Sequence, residues 1–159
     1  MFSIPENAVV ITGAPPVTTN GGITCDNIWV KNFHKIYVVA SLTQAVAHAT
    51  GIDPVQSSVL AGTDAKALSE VCRIWYVSDV EASDVPVLQD AAKTFNVDAE
   101  IAKMMVIFEI IPEQHMDVND DFCVLGCTLD NSGQASNLAN VLYIGVPRYQ
   151  QEVPPTAIE

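Results

Sequence analysis

From Lys103 to Ile111 the chain alternates, with Met104, Val106, Phe108 and Ile110 on one side and Lys103, Met105, Ile107, Glu109 and Ile111 on the other. Successive side chains of a β-strand leave opposite faces of the backbone, so a period of two commits this stretch to a strand. Its second face is mixed rather than polar. Such a face fits cover by a second layer of the same chain or by another subunit.

Shorter β-branched and aromatic runs recur elsewhere, separated by Gly, Pro, Asn and Asp. Ile28-Trp29-Val30 and Ile36-Tyr37-Val38-Val39 flank a polar stretch and suit two neighbouring strands of a hairpin. Val71 to Val77 sets Arg73, Trp75 and Val77 against Cys72, Ile74 and Tyr76, with bulk on both faces as in a central strand covered on each side. Two further runs, Phe122 to Leu129 and Val141 to Val146, are separated by the turn residues Asn131-Ser132-Gly133. Alanines gather at Thr43 to Thr50, Thr63 to Glu70 and Val87 to Phe95, and Thr63 suits a helix cap, but each segment is short enough to read as a loop, a single turn or a short helix.

Strands spaced by turns, without long intervening helices, indicate an all-β and mainly antiparallel fold. The expectation is a β-sandwich or jelly-roll-like barrel with short helical turns and extended termini. Residues 1–22 read as an extended N-terminal arm, 23–146 as the β-sandwich domain and 147–159 as an extended C-terminal tail, because Pro5, Pro15, Pro16, Pro147, Pro154 and Pro155 concentrate at the two ends.

The 159 residues are enough for one domain with a substantial core, and 49% hydrophobic with only 16% charged residues argues for a folded body. With 19 acidic and 7 basic side chains the formal net charge is -12, and the few cations form no stripe. Such a molecule repels phosphate backbones, so nucleic acid is not an expected partner, whereas a positively charged protein is. The run Met104 to Ile111 is interrupted by Glu109 and closed by Pro112, well short of the roughly 20 apolar residues of a membrane span, so no membrane partner is expected either. The start, Met1 to Glu6, has neither the basic residues nor the apolar core of a secretion signal, which points to assembly in a reducing cytoplasm. Cys25, Cys72, Cys123 and Cys127 then read as buried free thiols, with Cys123 and Cys127 sharing a strand face with Leu125 and Leu129.

A search for reactive constellations yields little. Gly21-Gly22 lacks the lysine and helix of a phosphate loop, and neither a nucleophile elbow nor a histidine pair at helical spacing is present. His34, His48 and His115 are scattered, and Glu113 with His115 reads as a solvated loop rather than an acid–base pair. Asp117-Val118-Asn119-Asp120-Asp121 begins like a calcium loop, but Phe122 replaces the turn glycine and Thr128 the bidentate glutamate, so a polar turn is the better reading, with weak divalent binding the alternative. No enzyme activity, cofactor or metal is expected.

Gly22 through Val39, the stretch Val59 to Leu68 leading into Arg73-Ile74-Trp75, and the ending Pro147-Arg148-Tyr149-Gln150-Gln151 with Pro154 to Ile158 together resemble a family of small virion proteins of tailed bacteriophages, encoded near the major capsid protein. The resemblance implies a virion structural role, most simply a capsid cement or decoration protein on the outside of the head. It carries over no catalytic or ligand residue, and the four cysteines are not part of the family pattern.

The partners so implied are the major capsid protein and further copies of the chain, as a homo-oligomer such as a trimer, on a capsid assembled in the host cytoplasm. The expected subunit interface comprises Met105, Ile107 and Ile111 of the mixed face together with Arg148, Tyr149, Pro154 and Pro155 of the tail. Two rivals remain. A head–tail connector or tail subunit would share the β-rich body. A carbohydrate-binding or hydrolytic sandwich would gather exposed aromatics and carboxylates in a cleft, whereas Trp29, Trp75 and Tyr76 read as core.

Overall fold

The computed structural model describes residues 4–149 and 156–158. In chain order these form a short helix α1 (Ile4–Asn7) and the strands β1 (Val9–Thr18), β2 (Ile23–Thr24), β3 (Ile28–Trp29), β4 (Phe33–Thr43), β5 (Gly51–Ser57), β6 (Lys66–Ala67), β7 (Arg73–Val77), β8 (Val87–Leu88), β9 (Phe95–Asn96) and β10 (Lys103–Ile110). A single helical turn α2 (Pro112–His115), a 3-10 turn at Val118–Asp120, and the strands β11 (Val124–Leu129) and β12 (Leu138–Pro147) complete the order.

Among the described residues two antiparallel sheets form. One is six-stranded in the order β1-β12-β4-β10-β7-β8; the other runs β2-β11-β5-β6, with β3 also pairing β11 and β9 also pairing β5. Both sheets are open, so the architecture is a sandwich and not a closed barrel. One apolar core lies between them. The larger sheet contributes Ile36, Val38, Val106, Phe108, Val141 and Tyr143, and the smaller contributes Ile23, Ile52, Leu125, Cys127 and Leu129. Tyr143, Phe33 and Phe108 are among its largest fully buried side chains, each worth about 1.5–3 kcal/mol of apolar transfer.

The alternation of β10 sets its register without a break, Lys103 to Ile110 against Thr43 to Ile36. The hairpin expected between residues 28–30 and 36–39 does not form. Ile28 and Trp29 pair with Leu125 and Val124 in the smaller sheet, while β4 lies in the larger one. The crossing is made at Val30, whose N–H donates to the Cys123 carbonyl (2.9 Å) and whose own carbonyl accepts from the Phe33 N–H (3.0 Å).

The segment read as an extended N-terminal arm is extended, but over Val9–Thr18 it is the edge strand β1, paired with β12. Pro15 and Pro16 fall in the register shift between Ala14 and Val17, where a missing N–H costs the ladder least. Strand β5 carries Pro54 opposite Cys127, at the stretch of its far edge that neither β6 (paired at Val55 and Gln56) nor β9 (paired at Gly51 and Ile52) reaches. The alanine-bearing segments contain no helix. Thr43 ends β4, Lys66–Ala67 is β6, and Val87–Leu88 and Phe95–Asn96 are β8 and β9.

Candidate functional site

The long central strands β12, β4 and β10 of the larger sheet turn one face to the core and the other outward, and register decides which outward residues become neighbours. Across the sheet Leu142 stands opposite Val39, Val39 opposite Ile107, Ile107 opposite Trp75 and Trp75 opposite Leu88. The adjacent row runs Ile144, Tyr37, Glu109, Arg73, and Val10 of β1 extends it beyond Ile144. Asn140, Ser41, Met105 and Val77 form a third.

The middle of this outer face is an open groove lined by Tyr37, Val39, Trp75, Pro86, Ile107, Glu109 and Ile144. Tyr37, Val39, Trp75, Ile107 and Ile144 are half-buried, and Pro86, from the loop between β7 and β8, lines the groove and is exposed. A contiguous apolar patch spread over several strands is the kind of surface a partner covers.

One charge interrupts the patch. The Glu109 side chain is only 11% exposed and its Oε1 lies 3.3 Å from Lys35 Nζ and 3.9 Å from Arg73 Nη1. The cations also cover aromatic rings, Lys35 over Tyr37 at 5.8 Å and Arg73 over Trp75 at 4.7 Å. The carboxylate is thus compensated inside the apolar surface, and the cationic stems add to its apolar area. Trp75, read from sequence as core, belongs to this outer face, whereas Tyr76 points inward and is buried. Trp29 is half-buried against the core, with Lys31 over its ring.

The structure separates the residues singled out from the sequence. Met105 and Ile107 lie in the outer face. Ile111 lies beyond the end of β10, where its N–H donates to His115 Nδ1 (2.9 Å) at the start of α2. Arg148 is turned back on the body: Nε donates to the Lys31 carbonyl (3.0 Å) and Nη1 pairs with Glu113. Tyr149 is exposed, and Pro154 and Pro155 lie outside the described residues. Further on, Ala157 is buried and its carbonyl accepts from the Trp29 N–H (2.7 Å), so this part of the tail docks on the sandwich itself. Tyr37, Val39, Leu142 and Ile144 were not singled out beforehand. Their signal was strands with bulk on both faces, as at Val71 to Val77.

The acidic and histidine features are occupied locally. Asp117 pairs with Lys66 Nζ (2.6 Å), which holds its carboxyl below the usual range, and its N–H donates to Gln56 Oε1 (2.7 Å). The Arg148 guanidinium likewise holds Glu113 low. Burial pushes His115 down, and with Nδ1 accepting from Ile111 its neutral form carries the proton on Nε2. Glu113 and His115 therefore have separate partners. Among the described residues no three His, Cys, Asp or Glu side chains gather as metal ligands.

No family model matches the sequence, and no curated protein matches it. The crystal structure of the SPBc2 prophage-derived protein YomS is similar in fold, with a TM-score of 0.51 over 92% of this chain and 97% of that one. The two chains share one sandwich architecture. At 10% identity the likeness is one of fold and transfers no residue role.

Proposed function

We propose that this chain is a structural protein of a tailed-phage virion, acting as a cement or decoration protein that binds the outside of the head through protein–protein contacts. The observation that carries the reading is the apolar outer face of the larger sheet, which offers a broad rigid contact around Val39, Ile107 and Trp75. A rigid sandwich has little order left to lose on binding, which suits a protein that repeats one contact over a symmetric shell. The fold likeness to a prophage-derived protein spans nearly the whole of both chains and fits the same setting. The net charge of -12 favours a protein partner over the packaged nucleic acid.

The test is a particle reconstruction that locates the chain and counts it. Hundreds of copies on the head exterior, seated on the outer face of the six-stranded sheet, are the expected result. A ring of roughly a dozen copies would instead make it a connector or tail component, since closed symmetry fixes the number. Absence from purified particles would end the virion reading.

A further inference from the structure

We propose that Cys25 and Cys127 form an intramolecular disulfide when the folded protein meets a disulfide oxidant, tying the edge strand β2 to β11.

The pairing of β2 with β11 places Thr24 opposite Thr128, so the next position along sets Cys25 opposite Cys127. The Cys25 N–H confirms that alignment by donating to the Cys127 carbonyl at 2.9 Å. Directly opposed residues of an antiparallel pair project to the same side, and both thiols lie in the core. Opposed positions of an antiparallel pair have Cα atoms about 4.5–5.5 Å apart, inside the window a disulfide spans. The remaining cysteines sit elsewhere: Cys72 reaches the Ala92 carbonyl and Cys123 the Val118 carbonyl.

The two thiols are also unequal. The neighbouring Cys127 thiol lowers the pKa of Cys25, whereas the Cys25 sulfur together with burial raises that of Cys127, whose own S–H reaches the Thr128 carbonyl (3.8 Å). Cys25 is therefore the attacking sulfur. Although it is 3% exposed, it directly follows a two-residue edge strand, and fraying there uncovers it without global unfolding. Its thiolate attacks one sulfur of a small-molecule disulfide such as oxidised glutathione, breaking that bond and releasing one glutathione thiolate. Cys127, giving up its proton, then attacks the Cys25 sulfur and expels the second thiolate. The protein loses two hydrogens and two electrons, and the oxidant becomes two thiols.

The experiment incubates the full-length folded protein with oxidised glutathione, alkylates what remains, and maps cysteines by non-reducing peptide mass spectrometry. The expected product is a monomeric chain with a Cys25–Cys127 linked peptide, titratable thiols falling from four to two, and a higher thermal midpoint that reductant reverses. Cys25→Ser and Cys127→Ser should each abolish the linked peptide and the midpoint gain. Persistence of four titratable thiols, a stable glutathione adduct on Cys25 without closure, or a bond joining other cysteines or two chains would overturn the proposal. Should a serine variant fail to fold, the wild-type peptide map decides alone.

Discussion

Gly13 lies against the ring of Tyr143, so closely that a β-carbon at position 13 would stand 2.6 Å from Tyr143 Cε2 and 2.9 Å from Cζ. The edge strand β1 can cover the buried tyrosine only because position 13 has no side chain. Gly13→Ala is therefore expected to cost about 1–3 kcal/mol through overpacking, as the ring is fully buried and cannot swing clear. Urea unfolding of the variant against the parent measures it, and an unchanged midpoint would show that β1 yields instead.

The hydroxyl of the same tyrosine is buried and has no hydrogen-bond partner among the described residues. The Cys25 sulfur beside it contributes to raising the Tyr143 pKa, after the larger effect of burial, but does not satisfy hydrogen-bond geometry. Replacing an unsatisfied buried hydroxyl by hydrogen removes a desolvation cost, so Tyr143→Phe should match the parent in stability or exceed it by about 1 kcal/mol. A loss of that size by denaturant titration would reveal a partner for the hydroxyl.

On the outer face, Val39 and Ile107 face each other across β4 and β10 and are only half-buried. Val39→Ser with Ile107→Ser should leave the sandwich folded while weakening attachment to phage heads by about tenfold or more, as expected for central apolar contacts. Cosedimentation with heads reads the attachment and circular dichroism the fold. Unchanged attachment by a folded variant would assign the contact to another surface.

Asp64 fastens the turn after β5. Its carboxylate accepts from the hydroxyls of Ser57 and Ser58 and from the Ser58 N–H, which lowers its pKa from 3.8 to about 2. A carboxyl depressed on folding adds stability above its unfolded pKa and loses it as pH falls through the folded value. The parent should therefore lose more stability than Asp64→Asn between about pH 4 and pH 2. Thermal midpoints of the two proteins across that window check the difference, and parallel curves would remove the turn from the acid response.

Strict alternation made β10 legible from sequence, since its inward residues Met104, Val106, Phe108 and Ile110 are all buried. The same logic recovered the body of β7, β11 and β12. It missed β1 because Pro15 and Pro16 read as part of an extended arm, and it did not single out β5, which carries Pro54. A strand tolerates prolines wherever the missing N–H has no partner to serve, and only the neighbours reveal those places. The stretch Thr63 to Glu70 resembled a helix locally, yet Asp64 turns back to Ser57 and Ser58 while Lys66 pairs with Asp117 across the fold.

The amino-acid pattern by itself therefore determined an antiparallel β protein with buried thiols, because period and composition act on each segment alone. Which strands meet was decided by tertiary structure. Ile28 and Trp29 left their sequence neighbour β4 for β11, and Val39, Ile107 and Trp75 became one surface only through the registers of three strands. Side-chain alternation says that a residue faces outward, whereas its neighbours across the sheet depend on contacts between segments far apart in the chain.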